Sequence, residues 1–423
     1  MQVIIFIHRH KSELLPGSIT LSNWFMSESK IILKAVGDIC PGDMSILGLG
    51  VCSLSRKYGV SYPFSFVKDY LGNADIVIGN LEGILTSKAY SKTLRFCGVP
   101  EFAQGLRNAG FNVLSVANNH IFEQGIPGFN ETITALERNG IFICGRRGEG
   151  EYYSNPVIIN VKGETVGLLS YNWVGTTKFP DADRYIAQSC DSVVNYTWQR
   201  NPDVDKVNLQ NIGARNIHVL NDIRRLKTCV DHVVVLPHWG FEFVHVPPFG
   251  VVQEAHSFID AGADCIIGSH PHVLQGYEMY KGRMVFYSLG NFVFDMPVKE
   301  SRKTALVEIS LCKHVETSHA FSFFEINKKH QPVSASIDQA DRISRIIDES
   351  NRILNGPDLA AALSDDAIYK AFEQQYNRQK VANILRHFYL MPLHPFIVTV
   401  TLSKVVNFLK LMISRIRGNK IRW

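Results

Sequence analysis

Six short stretches of this chain place carboxylate, imidazole and amide side chains directly after apolar runs. Gly37-Asp38-Ile39-Cys40-Pro41-Gly42-Asp43 follows residues 31–36, and Asn80-Leu81-Glu82 follows 75–79. Ala117-Asn118-Asn119-His120 follows 111–116, and Pro237-His238-Trp239-Gly240 follows 232–236. Ser269-His270-Pro271-His272 follows 264–268, and Leu289-Gly290-Asn291 follows 284–288. Carboxylate, imidazole and amide oxygen together are hard-to-borderline donors that suit Mn, Fe, Zn or Mg. There are enough of them for two ions, and two ions roughly 3.5–4 Å apart form a clamp for in-line phosphoryl hydrolysis.

Each stretch alone also has a plainer reading. A lone Asp after a strand is commonly a turn or helix-cap residue, and Asn118-Asn119 could be a turn with His120 at the surface. His270-Pro271-His272 is more specific, because two imidazoles on one tight loop can reach one site or bridge two. The conjunction of several ligand types at several strand ends is what points to a metal site. His218, His232, His245 and His256 lack such placement and read as structural or surface residues. Trp239 reads as wall or core.

Something must bring these ends together. In an open α/β sheet the carboxyl ends of the strands line the ligand crevice. The apolar runs, with 166–170 added, read as strands buried on both faces. Helical patterns at 128–139 and 253–261 lie between them, stopped by Asn139-Gly140 and Gly262. Alternating strands and helices predict an α/β fold. Residues 304–311 and 319–326 read as antiparallel strands completing a sheet. Residues 175–214 read as a long insertion or lid, and 338–385 as surface helices. There is no internal repeat.

The chain has 423 residues, 44 Lys+Arg against 39 Asp+Glu, and a formal net charge of +5. Residues 380–423 hold eight of the basic residues and no acid, so the rest is mildly acidic and a basic nucleic-acid-binding body is excluded. The eight cysteines are scattered without a C-x-x-C pair and read as reduced, buried thiols, which favours the cytoplasm. The N-terminus makes a poor signal peptide, Met26 offers a more natural start, and no transmembrane run is evident. After Pro392 and Pro395 a helix from Phe396 would gather Thr399, Ser403, Asn407, Lys410, Ser414 and Arg417 on one face, ahead of a basic end. That pattern reads either as an interfacial helix on the inner face of an anionic membrane or as a helix docked on the body.

These blocks, in collinear order over about residues 30–300, resemble the CapA family, bacterial capsule-synthesis proteins linked to poly-γ-glutamate with a metallophosphoesterase-like fold. The resemblance implies a four-layer α/β/β/α sandwich over residues 30–335, after an N-terminal extension (1–29) and before a helical C-terminal region (336–423). It implies two divalent ions. Asp38 would hold one, Glu82 would bridge, Asn119, His238 and His270 would hold the second, and His272 would return to the first. Asp38 and His120 would be catalytic, His120 by protonating a leaving oxygen or steadying the transition state. Asn80, Asn118, Glu242 and Asn291 would support the ligands, and Asp43 and Arg95 would contact substrate. The implied activity is hydrolysis of a phosphoester in the production of a cell-surface polymer, within capsule-synthesis machinery. A non-catalytic scaffold role and an amide or polyglutamate hydrolase or transferase are the alternatives. Where related phosphoesterases open with Asp-x-His, this chain has Asp38-Ile39-Cys40, so Cys40 is either a soft ligand or a buried thiol; burial is the favoured reading.

Overall fold

The computed structural model describes residues 30–44, 48–90, 95–174, 182–187, 217–313, 317–357, 359–362 and 374. The N-terminal extension, most of the 175–214 insertion and the basic tail lie outside the described residues.

In chain order the strands are β1 (Ile31–Ile39), β2 (Ile76–Leu81), β3 (Ile84–Leu85), β4 (Cys97–Gly98), β5 (Val113–Ser115), β6 (Phe142–Cys144), β7 (Val157–Val161) and β8 (Glu164–Asn172). They continue with β9 (His232–His238), β10 (Cys265–Ile267), β11 (Tyr277–Tyr280), β12 (Arg283–Phe286), β13 (Asn291–Val293), β14 (Lys303–Leu311), β15 (Ser318–Ile326) and β16 (Pro332–Ser334). The helices that matter here are α1 (Val51–Tyr58), α2 (Lys68–Leu71), α3 (Phe102–Ala109), α4 (Gly125–Arg138), α5 (Ile217–Lys227), α6 (Phe249–Ala261) and α7 (Ile337–Leu354).

Two sheets form the centre. The first runs β16-β15-β14-β1-β2-β5-β6, with β13 also paired to β1, and the second runs β11-β12-β10-β9-β8-β7. The strands that carry candidate ligands pair in parallel, β1 with β2, β2 with β5, β9 with β10. The expected antiparallel pair is β14 against β15, in register from Lys303–Glu325 to Ser310–Ser318. Period-2 alternation builds the layers. Leu33 and Ala35 of β1 meet Val234 and Leu236 of β9 between the sheets. Val36 and Ile39 instead face the layer of α3 and α4. Val233 and Val235 face α5 and α6 on the opposite side. The result is the expected α/β/β/α order, and the strands read as continuous apolar runs because both faces are covered.

Several helix starts differ from the sequence expectation. The second predicted helix begins at Phe249, a turn earlier than residue 253, after Pro248 in extended conformation with no side-chain cap. α7 has a full capping box between Ser336 and Gln339 and is docked on the body. Its Ser350 and Asn351 side chains accept from the Gly276 and Tyr277 amides at 2.8 Å each, and Ile343 and Ile347 pack with Leu274 and Ala305. The piece of the insertion that is described, a short turn at Ala182–Arg184, packs Ala182 and Ile186 into the helix-side core. Among the described residues no helix is long and apolar enough to cross a membrane, and all described cysteines are free.

Candidate metal centre

β1 ends inside the crevice. Asp38 is fully buried, with Asn80 of β2 as its register neighbour on one side and Asn291 of β13 on the other. The approach of β13 is possible because residue 37 is glycine: a Cβ there would stand 1.8 Å from the Gly290 carbonyl oxygen. The Asn80 amide donates to Asp38 Oδ1 at 2.8 Å, and the His270 backbone N–H reaches Asp38 Oδ2 at 3.2 Å. Asn118, also buried, donates to Asn80 Oδ1 and to the Leu81 carbonyl, and its own oxygen accepts from the His120 N–H.

Glu82 follows β2, His238 ends β9, and His270 and His272 follow β10. Two groups of donor atoms, each within 4.8 Å of one another, result: Glu82, His238 and His270, and Asp38, Glu82 and His272. All are buried, and Glu82 belongs to both. His238 Nε2 lies 2.9 Å from Asn119 Oδ1, and its Nδ1 lies 3.0 Å from Ser269 Oγ. His272 Nδ1 lies 2.9 Å from Asn291 Oδ1, which turns Nε2 toward Glu82 at 3.5 Å. His270 and His272 both have left-handed backbone, φ +98° and +57°, on either side of Pro271. This conformation costs non-glycine residues about 1–3 kcal/mol each and recurs at ligand clamps.

Both Glu82 oxygens and both His270 ring nitrogens are buried without a hydrogen-bond partner. Burial, together with the neighbouring His270 and His272, holds the His238 imidazole well below its usual range, and burial chiefly does the same to His270. Neutral imidazoles keep a lone pair for a cation. Burial pushes the Glu82 carboxyl up, against the pull of His272 and with the push of Asp38. For His272, burial opposes charge, but Glu82 and Asp38 outweigh it and carry the pKa up to about 10. A buried carboxylate with no donors and an imidazole with both nitrogens bare are costly in apoprotein and are what a divalent ion satisfies. These residues therefore fit a metal.

His120 stands at the mouth. Its side chain is 17% exposed, whereas those of Asp38, Glu82 and His238 are at 0%. Nε2 lies 3.8 Å from Glu82 Oε1, and Nδ1 lies 2.9 Å from Glu123 Oε1. Phe96 stacks on the ring at 3.6 Å with planes 10° apart. Glu123 was not among the sequence candidates; an acid three residues after the histidine is the signal that could have found it. Glu242 is half-buried and near enough to His272 to influence it, and burial pushes its own carboxyl up.

Three residues have other duties. Asp43 is buried, and both its oxygens are occupied by the Gly48 amide and the Ser53 amide and hydroxyl at the start of α1. This corrects the expected substrate contact: the carboxylate anchors a loop. Arg95 is exposed, and it is its backbone carbonyl that closes on Gly42. Cys40 lies in an apolar cluster with Phe243, Val273 and Phe294, where burial pushes its thiol up, so it is a buried thiol. Trp239 is core, donating to the Tyr287 carbonyl. His232 pairs with Glu164, His256 with Glu278, His245 contacts the Leu274 carbonyl, and His218 stacks on Tyr153.

The family model described as "Bacterial capsule synthesis protein PGA_cap" matches residues 32–296. The capsule biosynthesis protein CapA of Bacillus anthracis is 32% identical over 289 residues, covering 67% of this chain and 64% of its own length. The PGA biosynthesis protein CapA of Bacillus subtilis is 29% identical over 293 residues, covering 68% and 70%. The chain thus matches just under two thirds of the anthracis protein. A solved hypothetical protein of Thermus thermophilus superposes on 69% of this chain and 99% of its own with a TM-score of 0.39 at 14% identity, and nothing is argued from it.

Proposed function

Because the chain belongs to the bacterial capsule synthesis protein family PGA_cap, within the metallophosphoesterase-like superfamily, we propose that it is a two-metal hydrolase acting on a phosphoester in the production of a cell-surface polymer. The observation that carries this reading is the pair of buried donor groups joined through Glu82, whose oxygens have no hydrogen-bond partner in the protein. Asp38, Glu82 and His272 would hold one ion, and Glu82, Asn119, His238 and His270 the other.

The chemistry that divalent ions supply when bound is the acidification of water and the polarisation of a phosphoryl oxygen. The chain's own residues do the rest. Asn80 and the His270 amide hold Asp38 as a carboxylate in one orientation. Asn291 fixes the His272 ring. Glu123 accepts the Nδ1 proton of His120, which leaves Nε2, on the solvent side of the buried ligands, to deliver a proton to a leaving oxygen. Phe96 keeps the ring from rotating away.

The test uses purified full-length protein stripped with EDTA and reloaded with Mn²⁺. Metal is counted by mass spectrometry, and bis-p-nitrophenyl phosphate, p-nitrophenyl phosphate and poly-γ-glutamate are offered as substrates. Metal-dependent phosphoester cleavage that disappears in Asp38→Ala/His270→Ala is expected. Cleavage of polyglutamate instead would move the reading to amide chemistry, and absence of both bound metal and turnover would leave a scaffold.

A further inference from the structure

A cavity of about 600 Å³ is lined by residues that do not belong to the metal centre, among them Arg147, Tyr152, Tyr153, His218, Arg224 and Arg225. Its position is informative. Arg147 follows β6 as Asn118–His120 follow β5, and β5 and β6 are paired neighbours. The cavity therefore opens from the same carboxyl edge of the sheet that carries the ligands.

The charges within it do not cancel locally. Of the two acids in its wall, Asp222 is buried and accepts from the Tyr153 and Ser154 amides and the Tyr171 hydroxyl at 2.8–2.9 Å. Glu151 pairs with Arg225 at the exposed rim. Arg147 and Arg224 have no carboxylate partner among the described residues. Arg147 lies 3.9 Å above the Tyr153 ring and donates one N–H to the Tyr153 carbonyl at 2.9 Å; Arg224 contacts Asn221 Oδ1 at 3.3 Å. A guanidinium has five N–H donors, so most of each fork is uncommitted. A guanidinium laid flat on an aromatic ring presents its edge for a bidentate carboxylate or phosphate. The His218 ring, stacked on Tyr153 at 5.2 Å, adds a further donor or acceptor.

We propose that this cavity is a second, metal-independent site that binds an oxyanion-bearing ligand, a carboxylate or a phosphate, through Arg147 and Arg224. The test is calorimetric titration of EDTA-treated full-length protein at low salt, with tripolyphosphate in one arm and tetra-glutamate in the other. Binding of at least one probe is expected, and the preferred probe identifies the anion. Affinity should fall about tenfold or more in Arg147→Gln/Arg224→Gln, fall with added salt, and be unchanged in Asp38→Ala/His270→Ala. Arg147 also bonds the Tyr153 carbonyl, so the double variant could lose stability. Arg224→Gln, on the exposed side of α5, gives an independent reading and should weaken binding by itself. No binding of either probe, equal binding by wild type and Arg224→Gln, or loss of binding in Asp38→Ala/His270→Ala would overturn the proposal.

Discussion

Replacing Glu82 by Gln separates what the carboxylate does for the fold from what it does for an ion. In apoprotein the carboxylate is fully buried with neither oxygen hydrogen-bonded. Leaving such a group unsatisfied costs about 1–3 kcal/mol, and more if it is charged. The isosteric amide removes the charge. It also removes the attraction to His272, but that ring keeps Asp38 Oδ2 at 3.4 Å. EDTA-treated Glu82→Gln should therefore be as stable as wild type or more so, by up to about 2–6 °C in melting temperature for a domain of this size. With ions the order reverses. A ligand at about 100 times its dissociation constant stabilises by roughly 2.7 kcal/mol per site. Because Glu82 is in both donor groups, the variant should lose the stabilisation from both. The assay is thermal unfolding in EDTA and across a Mn²⁺ titration. If Glu82→Gln lowers the melting temperature equally in EDTA and in Mn²⁺, the residue is a structural element of the fold and the reasoning fails.

Four further outcomes are expected. His270→Ala should lower bound metal from two ions per chain toward one, because Asp38, Glu82 and His272 remain; unchanged content by mass spectrometry would contradict the assignment. Glu123→Gln should keep its metal and lose on the order of tenfold or more in turnover with a displaced pH profile, since it acts through His120; a variant with wild-type kinetics would show that the contact is only structural. Cys40→Ser should leave metal content unchanged, because the thiol lies in an apolar cluster; loss of an ion would make it a ligand. Glu254 is buried beneath the Trp173 indole N–H at 3.0 Å, and burial pushes its carboxyl up to about 8 from 4.5. The folded state thus holds a proton that the unfolded state releases at lower pH, so stability falls as pH rises between those values and levels off above. Glu254→Gln keeps the acceptor without the titration; it should be more stable than wild type at pH 8 and equal to it near pH 4.5, and parallel stability curves would refute this.

The strands and the polar residues just beyond them were legible because strands covered on both faces read as unbroken apolar runs, and the polar residues that end such runs stand out. Asp38, Glu82, His238, His270 and His272 were found that way, and the structure brings them together. What was not legible depends on pairing between distant segments. β13 pairs with β1 over 250 residues of chain, and that pairing places Asn291 beside Asp38. The apolar setting of Cys40 comes from Phe243, Val273 and Phe294, and the loop role of Asp43 comes from backbone amides, which have no sequence signature. Glu123 was hidden for another reason: on a helix approach an acid three residues from a histidine is common, and only the Phe96 stack marks this one.

The places where local rules are broken coincide with the metal centre, and their supports explain how the fold tolerates them. Two left-handed histidines around a proline would relax elsewhere. Here Ser269 N–H is tied to the Pro237 carbonyl, the Pro271 carbonyl receives the Phe243 amide, and the Val273 carbonyl receives the Ser288 hydroxyl, all between 2.8 and 3.0 Å. The His270 amide reaches Asp38, so the first strand of one sheet helps hold the loop that leaves the other. The strained loop is thereby fixed by both sheets at once, and neither imidazole can turn away to relieve the bare Glu82 carboxylate. The sheets' packing energy is thus spent on holding bare donors together at the crevice, an arrangement that favours a cation over collapse of the site.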